Sequence, residues 1–241
     1  MQLGSLKFRP GRWPALITLI LFGVLLSLGF WQLDRADQKR ALLKDYRTGS
    51  ETALLELDAR LKSAAGLDYQ LAGASGYYDG GHQFLLDNQI HQGVAGYQVL
   101  TPLKLRGAEV AVLVNRGWVP LGTSRQVLPP VAVAGDERKV TGRIKRPALG
   151  GFKLGEEQIR RRWPYRIQHV DLDKLAGELG YPLLPVVLLL DPQQPDGFVR
   201  DWHPLYFGPE RNVGYAVQWF TMAAVLIVIF LAVNLRKSGE D

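Results

Sequence analysis

Cysteine is absent from this chain of 241 residues, which removes disulfides, thiolate metal sites and a cysteine nucleophile together. An oxidising compartment is therefore allowed but not required. Also missing are G-x-S-x-G, a Walker A loop, H-E-x-x-H and a Rossmann glycine fingerprint following a strand, so no standard hydrolase, nucleotide-binding or zinc-protease constellation is present. The chain carries no internal repeat and no low-complexity tract. Its positive charge is modest once placed. Of 29 Lys and Arg and 23 Asp and Glu, the two short tails hold five and two, which leaves 24 against 21 in the remainder. That balance is no nucleic-acid footprint, and we expect no nucleic-acid partner.

What the chain does have is two uncharged apolar stretches at its ends, Trp13 to Leu33 and Val213 to Leu235. A helix rises about 1.5 Å per residue and a bilayer core is roughly 30 Å thick, so each stretch is long enough to span. The first closes on Leu28-Gly29-Phe30-Trp31-Gln32-Leu33 rather than on the small residues of a cleavage site, so it reads as an anchor. The sequence thus predicts a membrane protein: two transmembrane helices at the chain ends flanking a mainly β (α+β) extracytoplasmic domain. The expected parts are a cytoplasmic tail (1–12), the first span (13–33), the domain (34–212), the second span (213–235) and a second cytoplasmic tail (236–241). Lys7, Arg9, Arg12, Arg236 and Lys237 would hold both termini cytoplasmic. Arg35, Lys39, Arg40, Lys44 and Arg47 oppose that rule, but long loops translocate largely regardless of charge.

Between the spans, Asp34 to Arg40 continues a polar helical pattern, and Glu51 to Lys62, with Leu54, Leu55, Leu57 and Leu61, predicts a short amphipathic helix. Strand periodicity follows at Tyr69–Tyr78, Gln83–Asn88, Tyr97–Leu103, Glu109–Val119, Lys139–Ile144, Arg166–Val170 and Pro185–Leu190. One helix interrupts, capped by Asp171, apolar at Leu172, Leu175, Ala176 and Leu179, and stopped by Gly180.

Candidate functional residues are few. His82, Asp87 and His91 lie near one another along the chain, and two His with a carboxylate are zinc-ligand types, but the spacing matches no common site. We expect no metal there; a membrane-tethered metalloenzyme using these three is the rival reading. His169 and His203 are isolated. In Val114-Asn115-Arg116-Gly117-Trp118-Val119-Pro120, period-two alternation puts Val114, Arg116 and Trp118 on one strand face, where Arg116 and Trp118 can make a cation–π contact. That pair is either the stabilised end of a strand or a partner-binding surface. Asn212, Tyr215, Gln218, Trp219 and Met222 recur at steps of three and four and form one stripe along the start of the second span. Polar groups there must face protein, a ligand or the interface. Trp31 and Gln32 offer a matching end on the first span, so the two helices are expected to pack there.

Gly29-Phe30-Trp31-Gln32-Leu33, Val114-Asn115-Arg116-Gly117-Trp118-Val119-Pro120 and Gly214-Tyr215-Ala216-Val217-Gln218-Trp219-Phe220 occur in this order, supported by Gly96–Leu103 and Gly197–Trp202. In these motifs the chain resembles the surfeit locus protein one family from about Trp13 to Leu235. The resemblance implies a non-enzymatic assembly factor for haem-copper terminal oxidases in the bacterial inner membrane, with the large loop periplasmic. It implies that cytochrome c oxidase subunit I and haem a synthase are partners, alongside membrane lipid, and that haem a is carried transiently. Tyr215, Trp219, Gln218 and Asn212 become the haem or partner-helix face, and Arg116 and Trp118 a partner surface. A periplasmic protein-binding module without haem contact is the alternative. Many proteins resembling this one carry a His, a candidate iron ligand, where this chain has Asn212, and an amide is a poor haem ligand beside imidazole.

Overall fold

The computed structural model describes residues 6–8, 10–122, 127–147, 163–202 and 208–237. Arg9 and His203 lie outside the described residues. In chain order the elements are β1 (Leu6–Phe8), α1 (Arg12–Glu51), β2 (Leu55–Glu56), β3 (Leu71–Tyr78), β4 (Phe84–His91), β5 (Val94–Leu105), β6 (Ala111–Pro120), β7 (Glu137–Lys145), β8 (Tyr165–Ile167), α2 (Leu172–Leu179), β9 (Leu183–Leu190), α3 (Pro209–Asn234) and β10 (Leu235–Lys237). They form two compact units, Met1–Lys44 with Pro204–Asp241, and Asp45–His203.

The first unit is a pair of apolar helices. At 40 residues α1 is about 60 Å long, so it runs well past its apolar half. Beyond Leu33 it is sustained by side-chain pairs three and four residues apart: Gln38 Nε2 donates to Asp34 (2.8 Å), Arg35 to Gln38 (2.9 Å) and Arg40 to Asp37 (2.7 Å). α3 returns beside α1. Gly29 leaves room for the Phe220 ring, which a Cβ at that position would overlap, and Phe30 meets the same ring edge-on at 5.3 Å. At the far end the two termini are tied directly, because β1 pairs antiparallel with β10 and Phe8 packs edge-on to Phe230 at 6.0 Å.

The second unit is a mixed sheet. Among the described residues eight strands run in the order β2-β3-β7-β9-β6-β5-β4-β8. A further antiparallel pairing, Gly76 opposite Leu105 and Tyr78 opposite Leu103, joins β3 to β5 and closes five strands into a barrel. The closed order β3-β5-β6-β9-β7 has one parallel contact, β6 with β9, an outline shared with five-stranded Greek-key barrels. β5 is long enough to serve two neighbours on one edge, β4 along its first half and β3 along its second. At that seam Gly76 lies directly on the Lys104 carbonyl, where no Cβ fits.

Alternation along the strands fills the barrel. Ala72, Ala74, Leu103, Leu105, Val112, Val114, Val140, Ile144, Val186, Leu188 and Leu190 point inward, each large aliphatic contributing about 1.5–3 kcal/mol on burial. Phe84, Leu113, Val187 and Leu189 face outward but are covered by α2, through Leu175, and by β8. Burial on both faces explains why β9 reads as an almost unbroken apolar run. The N-cap of α2 is as expected: the Asp171 carboxylate accepts from Lys174 N at 3.2 Å, and Gly180 ends the helix at φ 76°.

The expected helix over Glu51–Lys62 does not form. α1 ends at Glu51 and Leu55–Glu56 is a short strand on β3. Leu57 N donates to Gly73 O at 2.7 Å and its side chain enters the barrel core, with Leu55 and Leu61 packed against it. Asp58 then takes Arg60 N in a local turn at 2.8 Å, a conformation that competes with helix.

Candidate functional site

In the helix pair, the polar stripe divides. Asn212 lies on the side facing α1: its Nδ2 donates to Gln32 Oε1 and its Oδ1 accepts from Lys39 Nζ, both at 2.7 Å. The amide therefore bridges two side chains of α1 and spends one donor and one acceptor on them. Ala216 and Ala223 continue that face and are buried, with Trp219 and Phe220 half-buried beside them. Tyr215, Gln218 and Met222 are exposed. The stripe thus borders the packing face: Asn212 and Trp219 belong to its rim, and the other three look outward. Of the matching end on α1, Gln32 joins α3, whereas Trp31 is exposed with Arg35 over its ring at 5.8 Å. Arg211 stands in the same way over Tyr215 at 5.8 Å.

In the barrel unit, Arg116 and Trp118 do not share a face. Gly117 adopts φ 116°, and the β5–β6 register slips between Gln98 and Leu100, a bulge that breaks the alternation expected from the sequence. A Cβ at residue 117 would crowd the Val199 carbonyl at 2.7 Å. Arg116 turns inward and is 2 % exposed. Its Nε donates to Asp196 O (2.7 Å), Nη1 to Gln83 Oε1 and Val131 O (both 2.9 Å), and Nη2 to Ala132 O (3.4 Å). Its cation–π contacts are with Phe198 at 5.0 Å and Tyr78 at 5.7 Å, in place of the expected Trp118. Every acceptor is a neutral oxygen. Burial draws the guanidinium below its ordinary pKa, partly offset by Tyr78 and Asp196, while burial of Tyr78 pushes its phenol up to about 12 against the opposing pull of Arg116. An arginine so enclosed ties β6 to the segments around residues 131 and 196 and offers no surface to a partner. Trp118 is half-buried; its Nε1 donates to Gln89 O at 3.0 Å and its ring lies 5.2 Å from that of His91.

The zinc-type trio comes apart. His82 precedes β4, His91 ends it, and the intervening strand is about 25 Å long. Asp87 faces Arg166 at 3.7 Å, and His82 pairs instead with Asp79, its Nδ1 2.8 Å from Oδ1. Among the described residues no three His, Cys, Asp or Glu side chains gather as a metal site. Sequence reasoning missed the Asp79–His82 pair, whose signal was the local run Asp79-Gly80-Gly81-His82: a turn that returns the imidazole to the carboxylate three residues earlier.

These features define a class: a protein whose end helices pair through an amide bridge and whose intervening chain folds as a closed mixed barrel. The chain belongs to the SURF1 family, whose model matches residues 19–224. It is 23% identical over 233 residues to a SURF1-like protein of Monosiga brevicollis, covering 90% of this chain and 85% of that one. It is 27% identical over 253 residues to a SURF1-like protein of Drosophila melanogaster, with 90% and 75% covered. Surfeit locus protein 1 of Arabidopsis thaliana is 28% identical over 124 residues, 46% of this chain and 35% of that protein.

Proposed function

We propose that this protein is a non-enzymatic, membrane-embedded assembly factor for a haem-copper terminal oxidase, assisting haem a to enter or settle in subunit I. Family membership carries the reading, because the motifs that define the resemblance coincide with the places where α1 and α3 meet and where β6 bulges.

Exposure of the helices supports embedding. Only 6% of the most apolar part of α1 and 11% of that of α3 is buried, whereas the core helix of a soluble protein would be mostly covered. Trp13 and Trp31 stand about 27 Å apart along α1, near the thickness of a hydrocarbon core. The pairing of β1 with β10 supports a shared side for both termini, the cytoplasmic one on this reading, with Asp45–His203 in the periplasm. Outward-facing Tyr215, Gln218 and Met222 suit a partner helix or a flat cofactor, since an amide facing lipid is costly.

The test is a deletion strain with its oxidase purified and its haem a to copper ratio measured. A haem a deficit restored by the wild-type chain is the expected result. Normal haem a content in the deletion strain overturns the reading in favour of a protein-binding module without haem contact.

A further inference from the structure

We propose that the end of the helix pair from which the intervening chain leaves is a headgroup site for an anionic phospholipid, its phosphodiester taken by Arg35 and Lys39 of α1 and Arg211 of α3. The inference rests on the membrane-embedded reading above and names the lipid chemistry that the embedded pair would select.

Helix geometry sorts the side chains at this end. The two helices run antiparallel, because α1 meets Asn212 with Gln32 and Lys39, and meets Phe220 with Gly29 and Phe30. Ala36, between Gln32 and Lys39 on α1, and Ala216 on α3 are 0% and 1% exposed and occupy the facing sides. In an antiparallel pair of right-handed helices the residue just before each facing position projects to the same side of the pair. Arg35 and Tyr215 therefore share one side, each with its stacking partner, Trp31 or Arg211, one turn along the same face. Arg35 stands over the Trp31 ring and Arg211 over the Tyr215 ring, both at 5.8 Å. Each guanidinium belongs to a residue one turn, about 6 Å, further from the apolar span than its ring. Lys39 joins them from the bridge: its ammonium gives one of three N–H donors to Asn212 Oδ1 at 2.7 Å. Arg35 likewise gives one N–H to Gln38, at 2.9 Å.

The acidic residues at this end go elsewhere. Asp37 follows Ala36, so it projects to the opposite side, where it pairs with Arg40. Asp34 accepts from Gln38, and Glu210 folds back over Gly208. One side of the pair thus combines three cations with two exposed rings, Trp31 at 51% and Tyr215 at 39%. Aromatic rings of this kind mark the edge of a hydrocarbon core, and the headgroup layer begins just beyond it, at the level of these cations. A guanidinium binds a phosphate through paired N–H bonds, and a lysine adds a point charge. The same placement accounts for an anomaly of charge: Arg35 and Lys39 crowd the end of the first span that the positive-inside rule leaves bare. The rings separate this ligand from a soluble phosphate. An acyl chain can lie along Trp31 and Tyr215 while its phosphate meets the cations, whereas an inorganic ion leaves both rings uncovered.

The experiment takes the full-length protein in a neutral detergent, adds phosphatidylglycerol or phosphatidylcholine, and measures bound lipid by native mass spectrometry. The expected result is one phosphatidylglycerol held well above phosphatidylcholine. Arg35→Gln and Arg211→Gln should each weaken phosphatidylglycerol about fivefold and the double variant about 25-fold, with phosphatidylcholine unchanged. Arg40→Gln, on the opposite side of the pair, should leave both affinities as they are, and far-ultraviolet circular dichroism controls for folding. Equal affinities for the two lipids in the wild type overturn the proposal, as does an undiminished preference in the double variant. Full competition by soluble glycerol phosphate overturns it as well, because the site would then read phosphate without the acyl chain. Release of the protein from membranes by alkaline carbonate would remove the embedded reading itself. Extraction by detergent alone, with equal lipid affinities, removes this inference and leaves that reading standing.

Discussion

The helix pair and the barrel solve the same problem, a polar side chain among apolar ones, in different ways. In the helix pair Asn212 meets two side chains on the neighbouring helix, Gln32 and Lys39, and nothing else is fixed by the contact. In the barrel Arg116 is surrounded by oxygens from three separate stretches of chain, at Gln83, at Val131 and Ala132, and at Asp196. The first is a local rivet between two elements that are each complete helices. The second is a hub without which several loops lose their anchor, and the two units should respond differently when each is cut.

Arg116→Leu should have the largest effect. It strips the Arg116 donor from the buried Val131 carbonyl and the half-buried Asp196 carbonyl, while Gln83 Oε1 keeps Thr101 Oγ1 as a donor; at about 1–3 kcal/mol for each orphaned acceptor, the barrel should lose on the order of 3 kcal/mol. Circular dichroism of the detergent-purified protein should show the near-ultraviolet packing signal of the barrel lost at lower denaturant, with the far-ultraviolet helix signal from α1 and α3 persisting. Simultaneous loss of both signals would break the comparison by showing that the units unfold together.

Gly117→Ala should come next. The residue sits at φ 116° against the Val199 carbonyl, so a side chain meets both an unfavourable backbone conformation, about 1–3 kcal/mol, and a steric conflict. The loss should be confined to the barrel. An unchanged melting profile would mean that the β6 bulge relaxes freely and is not needed to turn Arg116 inward.

Much of this difference was legible in the sequence, but only as far as local periodicity reaches. Six strands, β3 to β7 and β9, lie where alternation and turn residues put them, and α2 has its expected cap and stop. The face of Arg116 was not legible, because one glycine at positive φ inverts the alternation after it. Nor was closure of the barrel, which depends on Gly76 meeting Lys104 across a seam that no local pattern encodes. Leu54, Leu55, Leu57 and Leu61 suggested a helix because apolar spacing alone cannot tell a helix face from a strand and turn laid on a core. His82 and His91 are close in sequence, but extended chain carries them apart and a two-glycine turn supplies His82 with Asp79 instead.

Asn212→Leu sharpens the comparison from the other side. It removes two interhelical hydrogen bonds, and such bonds in membranes average about 0.6 kcal/mol each, so the helix pair should weaken by roughly 1 kcal/mol with barrel melting unchanged. Disulfide trapping between cysteines placed at positions 29 and 220, which face one another across the pair, would report the loosening as slower cross-linking. A barrel that melts earlier in this variant would show that the rivet reaches further than its two partners.

The smallest effect is expected at Asp79, and its sign depends on pH. Burial alone would raise its carboxyl, but hydrogen bonds from His82, Tyr181 and Lys104 outweigh that and hold it below the ordinary value of 3.8. A carboxyl that binds its proton less readily in the folded state contributes stability that is fully present above 3.8, and loses it as pH falls through the lower folded value. Asp79→Asn has no carboxyl to protonate, so wild type should exceed it in stability at neutral pH, and the gap should narrow below pH 3.8. Unfolding of both proteins along a pH series measures the gap. A gap that stays constant through that range would mean that Asp79 holds His82, Tyr181 and Lys104 by shape rather than by charge, and the barrel unit would then contain no ionic contribution of this kind at the β3–β4 turn.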